Sequence, residues 1–295
     1  MEGGISRQRV VWGAPSFWIN LFPLYVGRSR GLFAERGIDL EIRYFHGGPE
    51  LASAVRQGRV QIGNMGAPSF IKAFYDGLPA KIVGSAVTQK LDHYLVALPE
   101  IETLAGLRGK RIGILSPGSC DSYFIRRILE KESIDPEKEV LLTPLGSSYG
   151  DLDYLASKRV DAAFFVEPRV TLGENRKILR ILTRVGDHFP RYQWGIIFAR
   201  EGLIGESPLL VKNLLEGYRK ASRFIKENPE ECISPGARLF KMGRDLFCKA
   251  LERSLPNWET ETRIDQTGLE NAVQIQKQMR AVGDDLKKED MVLEM

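Results

Sequence analysis

Residues 116–127 read SPGSCDSYFIRR, a proline, a glycine, three serines and a cysteine between two apolar segments. Several kinds of chemistry are open to such a stretch. A helix that starts near Ser119 points unpaired backbone N–H groups and the positive end of its dipole at whatever sits before it. Gly118 would let a ligand approach that backbone, and the hydroxyls of Ser116 and Ser119 could add donors. The bland alternative is that one serine only caps the helix. Cys120, at the helix start, could have a lowered thiol pKa and act as a nucleophile. It would need a base, and His46 is the candidate; otherwise Cys120 is a small unreactive residue.

A second set of candidates lies in the first hundred residues. Pro15, Ser16 and Phe17 form one group, His46 and Gly47 another, and Gly66, Ala67 and Ser69 a third. Each group stands just beyond a strand-like run. His46 could donate to an anion or stack on a ring, or it could be an exposed loop residue. Among Trp12, Phe17, Trp18 and Trp194, any one is more often core than ligand wall, and only Phe17 and Trp194 are carried forward as site candidates. Glu167 follows a strand and precedes Pro168; it either faces the ligand, favouring an amine or ring N–H, or is an exposed loop carboxylate. Serine-rich helix starts favour an anion, whereas Glu167 and the aromatics favour a heterocycle.

The elements that must position these residues alternate. RVVW, IDLEIRYF, RVQIG and AKIVGSAV read as strands, separated by helical segments, and the rhythm restarts with KRIGIL, EVLLTPL and RVDAAFFVEP. A βαβα rhythm argues for mostly parallel sheets with helices on both faces. The halves also repeat. QGRVQIGNMGAP (57–68) aligns with SKRVDAAFFVEP (157–168), HGGPEL (46–51) faces GSSYGDL (146–152), and GAPSF (13–17) faces SPGSC (116–120). Their common order predicts two similar lobes. Ligands of open parallel sheets bind outside the carboxyl ends of the strands, so the repeated loops are expected to meet in one ligand cleft. WGIIFA (194–199) is a strand that could return the chain to the first lobe. The last third is helical, with Ser207 and Pro208 opening a helix whose Leu210, Leu214, Tyr218, Ala221 and Ile225 form an apolar stripe.

Composition narrows the classes. The 295 residues suffice for one large or two medium domains, and 43% hydrophobic with 27% charged residues supports a normal core. The formal charge of +4 is dispersed, and no basic-aromatic run argues for nucleic acid. No apolar stretch approaches a bilayer span of roughly 20 residues, and the first residues show no signal-peptide core. Cys120, Cys232 and Cys248 do not make a disulfide framework, and the absence of CxxC or HxxxH speaks against zinc. No metal or cofactor is expected.

The run YVGRSRGLFAERGIDLEIRYFHGGPELASAVRQGRVQIGNMGAPS resembles the two-lobed type II periplasmic solute-binding proteins of the nitrate, sulfonate, taurine and thiamine-pyrimidine group. LRGKRIGILSPGS is similar to the start of that family's second lobe, and RVDAAFFVEP and YRKASRFIKENPEE to later segments, over about residues 8 to 232. The resemblance implies an α/β fold with a ligand cleft between lobes. Residues 8–86 with 196–295 would be lobe 1 and residues 93–190 lobe 2, with hinges near 86–93 and 188–196. It also implies a monomeric binding protein that delivers a small molecule to the permease of an ABC-type transporter. The family is periplasmic; a native start at residue 1 would make the chain cytoplasmic. The opposing reading is a cytoplasmic enzyme on this fold, resembling an aromatic-sulfinate desulfinase or a thiamine-pyrimidine synthase. The desulfinase cysteine would fall where this chain has Ala14, Pro15 and Ser16, and the synthase's cysteine-rich motif is missing.

Overall fold

A computed structural model describes residues 7–87, 90–117, 119–146 and 151–293. The strands are β1 Gln8–Ala14, β2 Ile38–Tyr44, β3 Ile62–Gly66, β4 Ala80–Ser85, β5 Tyr94–Ala97, β6 Arg111–Ile114, β7 Leu141–Pro144, β8 Ala162–Phe165, β9 Arg180–Arg184 and β10 Gly195–Arg200. They form two five-stranded sheets, ordered β2-β1-β3-β10-β4 and β7-β6-β8-β5-β9. The chain divides into two compact units. The first comprises Met1–Lys90, Arg191–Pro235 and Asn257–Met295; the second comprises Leu91–Pro190 and Gly236–Pro256.

Each sheet is parallel except for one inserted strand, β10 in the first unit and β5 in the second, each antiparallel to both neighbours. β5 and β9 have no counterpart among the strands read from the sequence. Tyr94-Leu95-Val96-Ala97 is four apolar residues long, all buried, too short a run for periodicity to separate strand from loop.

The two sheets are copies in register. Trp12 pairs with Ile62 and Gly13 with Gly63, as Ile112 pairs with Ala162 and Gly113 with Ala163. Ile196 opposes Met65 and Ser85, as Tyr94 opposes Phe165 and Arg184. Both inserted strands carry an irregularity at the same place, between Ile197 and Phe198 and between Leu95 and Val96. The repeat therefore makes Ser16 equivalent to Ser116. The expected pairing of GAPSF with SPGSC is three residues out of register: GAPSF faces GILSP, because the strand pairing rather than the serine content sets the alignment.

Helix Pro208–Glu227 forms as its stripe predicts, with Leu210, Leu214, Tyr218, Ala221 and Ile225 buried. It packs on helix Phe22–Ser29 with Phe33 wedged alongside; a Cβ on Gly217 or Gly27 would each come within 2.6 Å of that ring. Glycine at both positions permits the close approach, and burying such a ring contributes about 1.5–3 kcal/mol. Residues 236–256, expected with lobe 1, pack with the second unit. Helix Arg244–Ser254 lies on helix Arg169–Asn175, where Arg253 meets Glu167 and Glu174. Among the described residues no helix is long and apolar enough to cross a membrane.

Candidate functional site

The first unit brings its three groups of candidates together at the carboxyl edge of its sheet. β1 ends at Ala14, whose carbonyl accepts from Phe45 N–H at 2.9 Å, and Pro15 O accepts from Gly47 N–H at 3.0 Å. Gly47 stands at φ +84°, where an L side chain is strained, and this lets the chain turn into helix Gly47–Arg56. Gly48 abuts Ser69, whose Cβ would lie 2.7 Å from a Cβ at 48. Ala67 N–H donates to Trp194 O at 2.6 Å, and the Trp194 indole lies against Gly66, 3.3 Å from where a Cβ would stand. Every one of these contacts is made within one unit.

Their meeting leaves a shallow recess, partly open to solvent, with walls that include Pro15, Ser16, Trp18, Asn64, Gly66 and Trp194. Ser16 Oγ is closed off from solvent and makes no hydrogen bond. A buried hydroxyl without a partner costs about 1–3 kcal/mol, so it marks a position where a ligand atom would be favoured. Behind the recess, Trp12 Nε1 donates to Asn64 Oδ1 at 2.5 Å, and the Trp12 ring stacks on Tyr218 at 5.6 Å. Burial pushes the Tyr218 phenol up to about 12, which keeps its proton on. The hydroxyl donates to Asn20 O at 3.4 Å and accepts from Val87 N–H at 3.2 Å. Gln193, fully buried, donates to Ser85 Oγ at 3.0 Å and Gly195 O at 2.6 Å and accepts from Asp265 N–H at 3.0 Å. The recess thus rests on a hydrogen-bonded platform reaching β4, β10 and two helical segments, in which Asn64 Nδ2 is buried without a partner.

Two aromatic side chains, Phe17 and Trp18, sit differently from expectation, and His46 takes the exposed-loop alternative. Phe17 is 37% exposed and turns edge-on to Tyr25 and Tyr44, whose hydroxyls hydrogen-bond each other. Trp18, not Phe17, joins Trp194 in the recess wall, and Trp12 is core. His46 is exposed just before helix Gly47–Arg56; its backbone N–H, not its ring, is bound there, by Glu50 Oε2 at 2.6 Å. Asn20, Leu21, Met65, Ala86 and Gly195 complete the wall, and neither they nor Asn64 were singled out by the sequence.

The second unit's loop has a different construction. Helix Cys120–Lys131 begins after Ser119, but the Ser119 hydroxyl does not cap it. It turns back and donates to Ser116 O at 2.5 Å. The capping alternative is thereby overturned. The loop is held instead by Asp121, a buried carboxyl in the helix's first turn that accepts from Leu115 N–H at 2.7 Å. Burial pushes the Asp121 carboxyl above its ordinary range. Its other oxygen, Oδ1, is buried without a partner. Ser116 is exposed and Cys120 half-buried at the first helical position. Gly118 lies outside the described residues.

Glu167 corrects part of the sequence reading. It is not an exposed loop carboxylate: it is 2% exposed, and its oxygens accept from Thr171 N–H at 3.1 Å, Thr171 Oγ1 at 3.0 Å and Arg253 Nη1 at 2.9 Å. Burial pushes its carboxyl up even so. The partner lies 86 residues away, in a helix the sequence reading did not connect to this strand. Among the described residues no group of three or more His, Cys, Asp or Glu could hold a metal ion.

Comparison with known proteins gives consistent likenesses. A family model described as NMT1/THI5 like matches residues 18–232. A Brucella abortus protein named as a binding protein is 26% identical over 240 residues, 81% of this chain and 70% of the relative. The alkanesulfonate-binding protein SsuA of Xanthomonas axonopodis pv. citri, solved bound to MOPS, is similar at TM-score 0.79 and 15% identity, over 98% of this chain and 99% of that one. A mutant of DszB solved with biphenyl-2-sulfinic acid is similar at TM-score 0.73 and 14% identity, over 98% and 97%. The architecture is that of the type II periplasmic binding proteins.

Proposed function

The chain belongs to the NMT1/THI5-like family, and on that premise we propose that it is a solute-binding protein, holding a small organic molecule reversibly and serving an ABC-type importer. The observation that carries this reading is the recess at the carboxyl edge of the first unit, with Ser16 Oγ buried and unbonded in its wall. Aromatic walls from Trp18 and Trp194 with a few polar atoms suit a small organic ligand. The name of the Brucella abortus relative supports a binding role.

An enzyme on this fold is the competing reading, and no observation favours it. The loop after β1 carries Pro15 and Ser16 where the resemblance would place a desulfinase-like nucleophile.

Native mass spectrometry of protein purified without denaturation is expected to find a small molecule that is released unchanged. Gly66→Leu should weaken its binding by at least about 100-fold, about 2.7 kcal/mol, because the side chain would enter the space against Trp194. The backbone at 66 is extended, so the substitution requires no change in φ. Cys120→Ser should stay within about tenfold of the parent. Turnover of the bound molecule that disappears in Cys120→Ser would sink this reading. So would a Gly66→Leu protein that binds as the parent does.

A further inference from the structure

The register of the two sheets gives each position on the recess edge of the first unit a counterpart in the second. Trp194 corresponds to Asp92, Ser85 to Arg184 and Ala67 to Glu167. Three positions with no ionisable group in one unit are therefore three ionisable ones in the other. Glu167 is accounted for by Arg253 and Thr171. Arg184 is not so accounted for.

Arg184 ends β9 opposite Tyr94, on the edge where β8 runs out into Glu167. Its Nε is closed off from solvent and makes no hydrogen bond, and Arg184 takes part in no ion pair among the described residues. The nearby acid does not fill that role. Asp92 is close enough to feel the charge of Arg184, yet burial pushes its carboxyl up to about 7, so much of the population is uncharged at neutral pH. Tyr94, pushed up to about 12 mainly by burial, remains a neutral hydroxyl beside them. A guanidinium drawn partly out of water is ordinarily paired. Its planar fork of donors matches the oxygens of a carboxylate, sulfonate or phosphate.

We propose that Arg184 binds the acidic group of a small organic anion at the carboxyl edge of the second unit's sheet. This rests on the solute-binding reading and adds to it the residue and the ligand class. It also places the anion contact on Arg184 rather than on the Ser116–Ser119 loop.

The test is calorimetric titration with butanesulfonate, pentanoate and butyl phosphate, and with uncharged pentanamide. The parent is expected to bind at least one anion and to discriminate against the amide; which anion wins identifies the acidic group. Arg184→Gln should weaken that anion by at least about tenfold. Arg180→Gln, which removes a surface partner of Glu102 in the same strand, should change nothing. Arg184→Lys keeps the charge but loses the fork and should fall between parent and Arg184→Gln; it reads the same contact if the glutamine variant fails to fold. An Arg184→Gln protein that binds the anion within about threefold of the parent overturns the inference, as does an Arg184→Lys protein indistinguishable from the parent or a parent that binds none of the three anions. A parent that binds no anion yet releases a bound solute in the mass spectrometer leaves the solute-binding reading standing; one that does neither loses both.

Discussion

The two units share a backbone plan and differ in what stands on it. In both, a glycine at positive φ follows the second parallel strand: Gly47 at +84°, its N–H on Pro15 O at 3.0 Å, and Gly146 at +82°, its N–H on Leu115 O at 3.0 Å. The first unit then lines its carboxyl edge with Ser16, Asn64, Gly66 and Trp194, neutral groups around a recess. The second sets Asp92, Arg184 and Glu167 at equivalent positions. Strand register is a property of backbone hydrogen bonding and apolar packing and survives such divergence; edge chemistry has no role in that packing and is free to change.

The largest expected effect tests whether the second unit depends on its charges. Arg253→Ala would leave Glu167 buried without its cation, at a cost of about 3–5 kcal/mol in urea unfolding. Adding Glu167→Gln should recover most of that loss. A small effect of Arg253→Ala would mean that Thr171 alone satisfies the carboxyl.

The next prediction tests the equivalence from the other side. Gly63 in the first unit corresponds to Ala163 in the second, yet a Cβ on Gly63 would fall 2.3 Å from Gly13 O and 2.8 Å from Phe198 Cζ. The residue matching Phe198 is Val96, which is smaller. Gly63→Ala should therefore cost about 1–3 kcal/mol by denaturant midpoint. Combining it with Phe198→Val should soften only the side-chain part of the clash. A neutral Gly63→Ala would show that β1 and β3 can separate more readily than their register implies.

The smallest effect concerns pH. The folded Asp92 carboxyl, at about 7 against an ordinary 3.8, holds its proton more tightly than the unfolded chain does. Its contribution is favourable at acid pH and is lost as pH rises from about 4 to about 7. His93, buried beside it, is pushed down to about 3, so the unfolded chain takes its proton first and stability is lost as pH falls below 6.5. Asp92→Asn should raise the melting temperature at pH 8 by a few degrees, with the gain vanishing toward pH 4. Equal shifts at both pH values would show that Asp92 does not titrate as its burial implies.

Much of the first unit was legible in the sequence. The strand-ending groups at Pro15-Ser16, His46-Gly47 and Gly66-Ala67 were found from their positions alone, because parallel strands deliver their loops to one edge. The repeat was legible as well, but not its register around Ser116. Serine content drew the alignment to SPGSC, whereas the ladder follows the apolar run Arg111–Ile114. Trp18, Phe17 and His46 show the limit within a loop, where sequence adjacency does not say which way each side chain turns.

The sequence by itself determined the α/β alternation, the duplication and the edge on which the candidate groups stand. Those features follow from local apolar periodicity and from glycines at turns. Only the tertiary structure decided what each group does there. Glu167 became a buried ion-pair member because Arg253, far along the chain, reaches it. Asp121, not Ser119, came to hold the helix start. Arg184 and Asp92 emerged as edge residues only once β5 and β9 were paired. Burial and pairing of charges depend on contacts between residues distant in sequence, and no local pattern records them.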